Sequence, residues 1–203
     1  MIEKMRAEHV EEVARIHASS WSPYEISVKL GEEYLRRCFY SAIVNSHIAF
    51  GYVYIDNGKV AGYATGFYKY EEFNRSTLRK TFFYLISLIF GRLFTGRIKV
   101  ADLLDIFRDN KKLRKLQFPQ HHLGALALSN EYKGTAKGKE AIIGTIESVL
   151  ADLESRGCKG YWGVCDERNK PMQKILLNLG FKRVDTVPFT SKVITVFEKV
   201  LQV

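Results

Sequence analysis

The stretch LGALALSNEYKGTAKGKEAIIGTIESVL, Leu123 to Leu150, decides how the chain is read. Leu123, Ala125, Leu126, Ala127 and Leu128 form an apolar run of strand length. Ser129-Asn130 ends it with turn formers. After Lys133-Gly134-Thr135-Ala136-Lys137-Gly138, the apolar residues Ile142, Ile143, Ile146, Val149, Leu150 and Leu153 recur at helical spacing. A small-residue loop that opens a helix leaves backbone N–H groups without intrahelical partners. Those donors, the helix dipole and the charges of Lys133, Lys137 and Lys139 favour a bound anion, above all a phosphate.

Two nucleotide-binding signatures are excluded. A Walker A loop needs four residues between Gly and Gly-Lys, followed by Ser or Thr; here three separate Gly134 from Gly138, and Glu140 follows Lys139. No G-x-G-x-x-G of the dinucleotide type occurs at this turn. The loop alone leaves two readings open, an ordinary basic helix start or an anion site.

Further along, Asn169-Lys-Pro-Met172-Gln-Lys-Ile175-Leu-Leu-Asn-Leu-Gly180-Phe181 reads as a capped helix with a glycine stop. Together the two blocks resemble motifs A and B of the GNAT superfamily of acyl-CoA-dependent N-acyltransferases. Motif A, Leu-Ala-Val then Gln/Arg-x-x-Gly-x-Gly/Ala, appears as Leu126-Ala127-Leu128 then Lys133-x-x-Ala136-x-Gly138. Lys stands for Gln/Arg and Ala for the first Gly. The second block is similar to Asn-x-x-Ala-x-x-Leu-Tyr-x-x-x-Gly-Phe, with Leu176 where many members carry Tyr.

The resemblance implies a mixed, mostly antiparallel α/β sheet, splayed between the motif A and motif B strands, with helices on both faces. It implies acetyl-CoA as cosubstrate. Its pantetheine arm would pair with the peptide groups of Leu126, Ala127 and Leu128, and its pyrophosphate with the main chain of Lys133, Gly134, Thr135, Ala136, Lys137, Gly138 and Lys139. Asn169 would touch the cofactor or fix its turn. The implied reaction is direct attack of a primary amine, on a small molecule or a protein, on the acetyl carbonyl in a ternary complex. His122, at the mouth of the motif A strand, is the candidate base, because some relatives carry a catalytic Glu there and imidazole titrates near neutrality. Strict alternation puts it on one face with Gly124, Leu126 and Leu128. For the leaving thiolate's proton, Tyr132, Tyr161, Cys165 and water are the alternatives.

The remaining sequence fits one domain, residues 1–203. Ile2–Met5 predicts a strand, Ala7–Ser20 an amphipathic helix and Glu32–Val44 a second helix. In the resembled family this helical pair borders the acceptor cleft, so Trp21, Tyr24 and Tyr34 are candidates to line it. Phe50–Ile55 and Lys59–Tyr70 predict a hairpin around Asp56-Asn57-Gly58. Gly160–Cys165, Lys182–Phe189 and Lys192–Leu201 predict further strands, and Ala141–Arg156 and Pro171–Leu179 helices.

Residues 71–120 exceed the short connection usual at this point of the family and predict a helical insertion: Leu78–Phe94, Val100–Phe107, then a basic turn Arg108–Lys115. From Arg75 to Lys115 eleven Lys or Arg face three Asp, a net +8 of the chain's +9. Three roles fit the insert: a cover over the acceptor cleft, a basic amphipathic surface for an anionic membrane, and a homodimer surface. Nucleic acid is not expected, because the bases are interleaved with aliphatic residues.

Three cysteines without CxxC spacing suit a reducing compartment, and the charged N-terminus lacks an apolar signal region, so the expected location is cytoplasmic. No His/Cys/Asp/Glu set has metal-ligand spacing. Two alternatives to the acetyltransferase stay open: a catalytically weak or inactive module that binds or senses acyl-CoA, and a membrane-associated acyltransferase acting on a lipid-linked amino-sugar.

Overall fold

The structure is a computed structural model that describes residues 1–114 and 120–201, with the side chains of 110, 113 and 114 left aside. Seven strands form one sheet: β1 (Ile2–Lys4), β2 (Ala49–Asp56), β3 (Lys59–Phe67), β4 (His122–Leu128), β5 (Gly160–Asp166), β6 (Lys182–Pro188) and β7 (Val193–Val200), in the order β1-β2-β3-β4-β5-β7-β6. Every pairing is antiparallel except β4 with β5. Asn57 and Gly58 both take positive φ, as the tight turn between β2 and β3 requires.

Helices pack on both faces and divide the core. On one face α1 (Val10–Ser20) buries Val13, Ala14 and Ile16 with Tyr63, Phe67, Ala125 and Ala127. On the other, α7 (Ala136–Ser155) buries Ile142, Ile146 and Val149 with Phe50, Ala64 and Leu123. The helix α8 (Lys170–Asn178) closes this second core with Leu176.

Short helices α2 (Ile26–Leu30), α3 (Glu32–Tyr34) and α4 (Ser41–Val44) follow α1. Between α3 and α4 the chain runs as a π-helix, Leu35–Tyr40, rather than the uninterrupted α-helix the sequence predicts. The wider turn coincides with Tyr40 pointing inward, where its hydroxyl meets His17. The 3-10 turn Ala7–His9 likewise replaces the predicted start of α1.

Two helices fill the long connection. The first, α5 (Tyr70–Phe94), begins earlier than predicted and takes the end of the predicted second hairpin strand. The second, α6 (Val100–Arg114), continues through the predicted basic turn, of which Lys115 lies outside the described residues. Arg108 and Lys112 each reach back three residues to an aspartate, Asp105 and Asp109, which neutralises the run enough to stay helical.

Candidate functional site

The strands β4 and β5 part almost as soon as they meet. Their ladder has the single register pair His122–Trp162, with the Trp162 N–H donating to the His121 carbonyl at 3.2 Å. β5 is then held from its other side by β7 along its whole length. On β4, the Ser129 N–H donates to the Ala61 carbonyl. Antiparallel alternation therefore turns the peptide of Ala127 toward β3, and those of Leu126 and Leu128 toward the gap with β5. The Leu128 carbonyl is met there by the Ser20 hydroxyl at 2.7 Å. An internal strand edge left open in this way can accept an extended ligand.

A bulge changes which way β4 faces. Leu126 opposes Ala64 and Leu123 opposes Gly66, so two residues of β4, Gly124 and Ala125, face the single residue Thr65. The Thr65 hydroxyl donates to the Ala125 carbonyl at 2.9 Å. Past the bulge the alternation is inverted. Leu123, Leu126 and Leu128 pack on the α7 side, whereas His122 stacks on Phe67 of the α1 side. A Cβ on Gly124 would come within 2.3 Å of the Phe67 ring, so Gly124 also faces that side. The strict alternation that groups His122 and Gly124 with Leu126 and Leu128 is therefore corrected: the extra residue puts them on the opposite face.

The loop after β4 is built by its own main chain. Thr135 caps α7: its hydroxyl accepts from the Gly138 N–H and donates to the Tyr132 carbonyl, both at 2.9 Å. A Cβ at Gly138 would lie 1.9 Å from the Tyr132 oxygen. Glycine is thus demanded by the loop's own closure, where the sequence suggests close approach of a phosphate. The N–H groups of Lys133, Thr135 and Lys139 are also bonded within the loop. The N–H groups of Gly134, Ala136 and Lys137 have no partner among the described residues, and two of them open the helix.

The loop's side chains divide. The Lys137 ammonium lies 2.6 Å from Asp56, whose other oxygen accepts from the Tyr132 hydroxyl at 2.6 Å. These hydrogen bonds hold Asp56 below the usual carboxylate range and raise Lys137; the bond to Asp56 also pushes Tyr132 up to about 12. Lys137 therefore offers its backbone to an anion while its charge is engaged by the hairpin turn. Lys133 and Lys139 form no ion pair among the described residues. Free donors at a helix start, two free ammonium groups and the open strand edge next to them fit a pyrophosphate with an amide-bearing arm.

At the apex of the gap, His122 is 6% exposed and boxed by Trp162 at 4.1 Å, Tyr70 at 4.3 Å and Phe67 at 5.8 Å. Neither ring nitrogen has a hydrogen-bond partner among the described residues. Burial depresses its pKa to about 3, so the ring is neutral. Tyr70 opens α5, so the insert itself supplies one wall of the box. Asn169 is the cap of α8, accepting from the Met172 N–H at 3.2 Å. Leu176 lies in the core. Of the alternative proton donors, Tyr161 donates to Glu154 at 2.8 Å and burial raises its pKa far above the usual range. Burial pushes Cys165 up to about 12.

One ion pair and several hydrogen bonds tie the insert to the first helices and to the β6–β7 turn. Lys29 of α2 meets Asp102 of α6 at 2.7 Å, and Asp109 of α6 accepts from the Thr190 N–H in the β6–β7 turn. Lys192 of that turn pairs with Glu25, and Arg92 of α5 donates to the Leu30 carbonyl. Of the aromatics proposed for the acceptor side, Tyr24 is exposed, Tyr34 packs on the core, and Trp21 stacks on His17 at 4.4 Å. His17 anchors a buried network: its Nδ1 lies 2.6 Å from the Tyr40 hydroxyl, which donates to Tyr63 at 2.7 Å, and its Nε2 lies 3.2 Å from Ser27. Its three hydrogen-bonding partners lie 10 to 46 residues away, and no local pattern ties them together.

Among the described residues no group of His, Cys, Asp and Glu is placed to hold a metal ion, and no helix is long and apolar enough to cross a membrane. No family model matches the chain, and no curated protein does. Its similarity is to solved structures. An N-acetyltransferase from Staphylococcus aureus Mu50 superposes with a TM-score of 0.60 at 13% identity, covering 100% of this chain and 98% of the other. An acetyltransferase of the GNAT family from Streptococcus pneumoniae gives 0.59 at 11%, covering 100% and 99%. The PaiA N-acetyltransferase from Thermoplasma acidophilum, in complex with coenzyme A, gives 0.57 at 15%, covering 99% and 98%. The seven-stranded, mostly antiparallel sheet parted between β4 and β5, with helices on both faces, is the fold of the GNAT N-acetyltransferases.

Proposed function

We propose that the chain is an N-acyltransferase that moves the acetyl group of acetyl-CoA to a primary amine within a ternary complex. One observation carries the proposal: the gap between β4 and β5, with the peptides of Leu126 and Leu128 turned into it, lies next to the loop whose Gly134, Ala136 and Lys137 N–H groups have no partner. A thioester arm in that gap would pair with the strand edge. The pyrophosphate would take the free N–H groups and the charges of Lys133 and Lys139. Coenzyme A bound to the Thermoplasma protein of the same fold supports this choice of ligand.

The amine nitrogen attacks the thioester carbonyl, a C–N bond forms, the C–S bond breaks, and the nitrogen loses one proton as the thiolate gains one. His122 stands at the apex, where the carbonyl end of the arm would arrive. For its imidazole to take the amine proton, the Tyr70 ring that covers it must swing aside. Admitting polar atoms to the box raises the pKa from about 3 toward the range where the ring works as a base.

A second reading, an acyl-CoA-binding module without turnover, is favoured by two observations: His122 is sealed, and Leu176 lies in the core where a motif B Tyr would supply a proton. Thiol release from acetyl-CoA, scanned over amines, together with calorimetric binding of CoA, separates the two. Binding with amine-dependent thiol release supports the enzyme. Binding without release on any amine favours the module, and no binding removes both.

A further inference from the structure

We infer that the outward face of the insert is a docking surface for an anionic lipid bilayer. The helix α5 leaves Leu78, Phe82, Phe83, Ile86, Phe90 and Phe94 exposed, Phe83 by 86% and Phe94 by 95%. Leu78, Phe82, Ile86, Phe90 and Phe94 follow one another at four-residue steps, a stripe about 24 Å long that winds slowly around the helix. Val100, Leu104 and Phe107 repeat the arrangement on α6, at helical spacing and all exposed. Scattered apolar side chains on a surface need no explanation, but a contiguous stripe of phenylalanines marks an interaction site.

Charge selects the occupant. Arg75 and Arg79 lie three or four residues before Leu78, Phe82 and Phe83, and so border the stripe. The side chains of Arg75, Arg79, Lys80 and Arg97 form no ion pair among the described residues, and Lys99 meets Asp102 through its backbone N–H at 2.8 Å. The insert's three aspartates, by contrast, are all engaged: Asp102 with Lys29, Asp105 with Arg108, and Asp109 with Lys112 and the Thr190 N–H. Glu71 and Glu72 are exposed in the first turn of α5, where Glu72 pairs with Lys69; beyond that turn the charges left outward without an opposite partner are positive. A second copy pairing through the same face would set these bases against their equivalents. A bilayer with anionic headgroups matches both properties: phenylalanines enter the acyl boundary, and the Arg and Lys stems reach back to the phosphates. Since α5 is too polar to cross a bilayer, it would lie in the interface plane.

The test is co-sedimentation of the full chain with vesicles of phosphatidylglycerol and phosphatidylcholine, against phosphatidylcholine alone. Binding is expected to the anionic vesicles and to weaken with salt. Arg75→Gln/Arg79→Gln should weaken it roughly 30-fold, about five-fold per charge with compounding. Phe83→Asp/Phe90→Asp should abolish it, and the exposure of both rings lets the variant keep its circular dichroism and melting temperature. If that variant misfolds, the arginine pair and the salt series decide alone. No binding to anionic vesicles, or binding that neither pair alters, overturns the inference. So does a concentration-dependent dimer in ultracentrifugation that Phe83→Asp/Phe90→Asp dissolves, because the face then belongs to a second copy.

Discussion

The loop after β4 and the insert are held to the same sheet by different means. From Ser129 to Lys139 the chain is closed by main-chain bonds and one hydroxyl cap between residues at most four apart, with Ala61 and Asp56 of the hairpin holding Ser129, Tyr132 and Lys137 from outside. The insert meets the body largely through ion pairs and hydrogen bonds between distant segments, and turns many of its apolar side chains outward. The contrast explains why Ala can stand for Gly at 136 and Lys for Arg at 133. Where the main chain makes the site, side chains are free to vary. Where side chains make it, a new sequence means a new surface.

The contrast breaks if the loop tolerates bulk, so the largest effect is expected at Gly138. Gly138→Ala drives a methyl into the Tyr132 carbonyl. It should cost about 3 kcal/mol of unfolding free energy, the upper end for overpacking, and should abolish CoA binding in calorimetry. An unchanged urea midpoint and affinity would show that local closure does not define the loop.

At His122 structure and chemistry can be pulled apart. His122→Ala opens a cavity in the aromatic box and should cost about 2–4 kcal/mol. His122→Phe fills the box and removes two unpartnered nitrogens, so stability should stay within about 1 kcal/mol of the parent. If the imidazole takes part in catalysis, both variants lose turnover while only the alanine loses stability.

Acidification should reach this region before the loop. His122 and His17 both have folded pKa values of about 3 against 6.5 unfolded. Between those limits the unfolded chain binds more protons, so stability is fully present above about pH 6.5 and falls as pH drops toward 3. Each histidine contributes a slope of about 1.4 kcal/mol per pH unit within the window. Urea melts at pH 7.5 and 5.5 should show the loss, and His122→Phe should remove about half of it.

The smallest effect is expected where the insert is tied down. Lys29→Met removes a pair whose side chains are 20% and 25% exposed, worth about 0.5–1 kcal/mol. It should alter the KM for an amine acceptor and leave CoA affinity unchanged. A change in CoA affinity would couple the two regions.

What could be read from sequence follows the same division. The strand β4, the loop after it and the Asn169 cap are local, and local patterns report them; the helix that follows reads from Ala141 but starts at Ala136, where Thr135 caps it. The face of His122 was not legible, because the bulge depends on what Thr65 and Phe67 do across the ladder. The π-helical turn at Leu35–Tyr40 and the His17 network were hidden for the same reason: each rests on partners far away in the chain. The insert's helicity was plain from its composition, but its length was not. The sequence gives Tyr70 to a strand and Arg108 to Arg114 to a turn, whereas packing against Phe67 and pairing with Asp105 and Asp109 make both helical.

The additional residue in β4 is slack that the ladder absorbs. Around it, imidazole is addressed to one half of the molecule and the downstream leucines to the other. Deleting one of Gly124 or Ala125 would leave Leu126 opposite Ala64, Leu123 opposite Gly66 and His122 opposite Phe67, so each side chain would keep its address and the ladder would simply run without the bulge. Loss of both would instead set Leu123 opposite Thr65 and His122 opposite Gly66, so two residues, not one, are the step that exchanges the two halves.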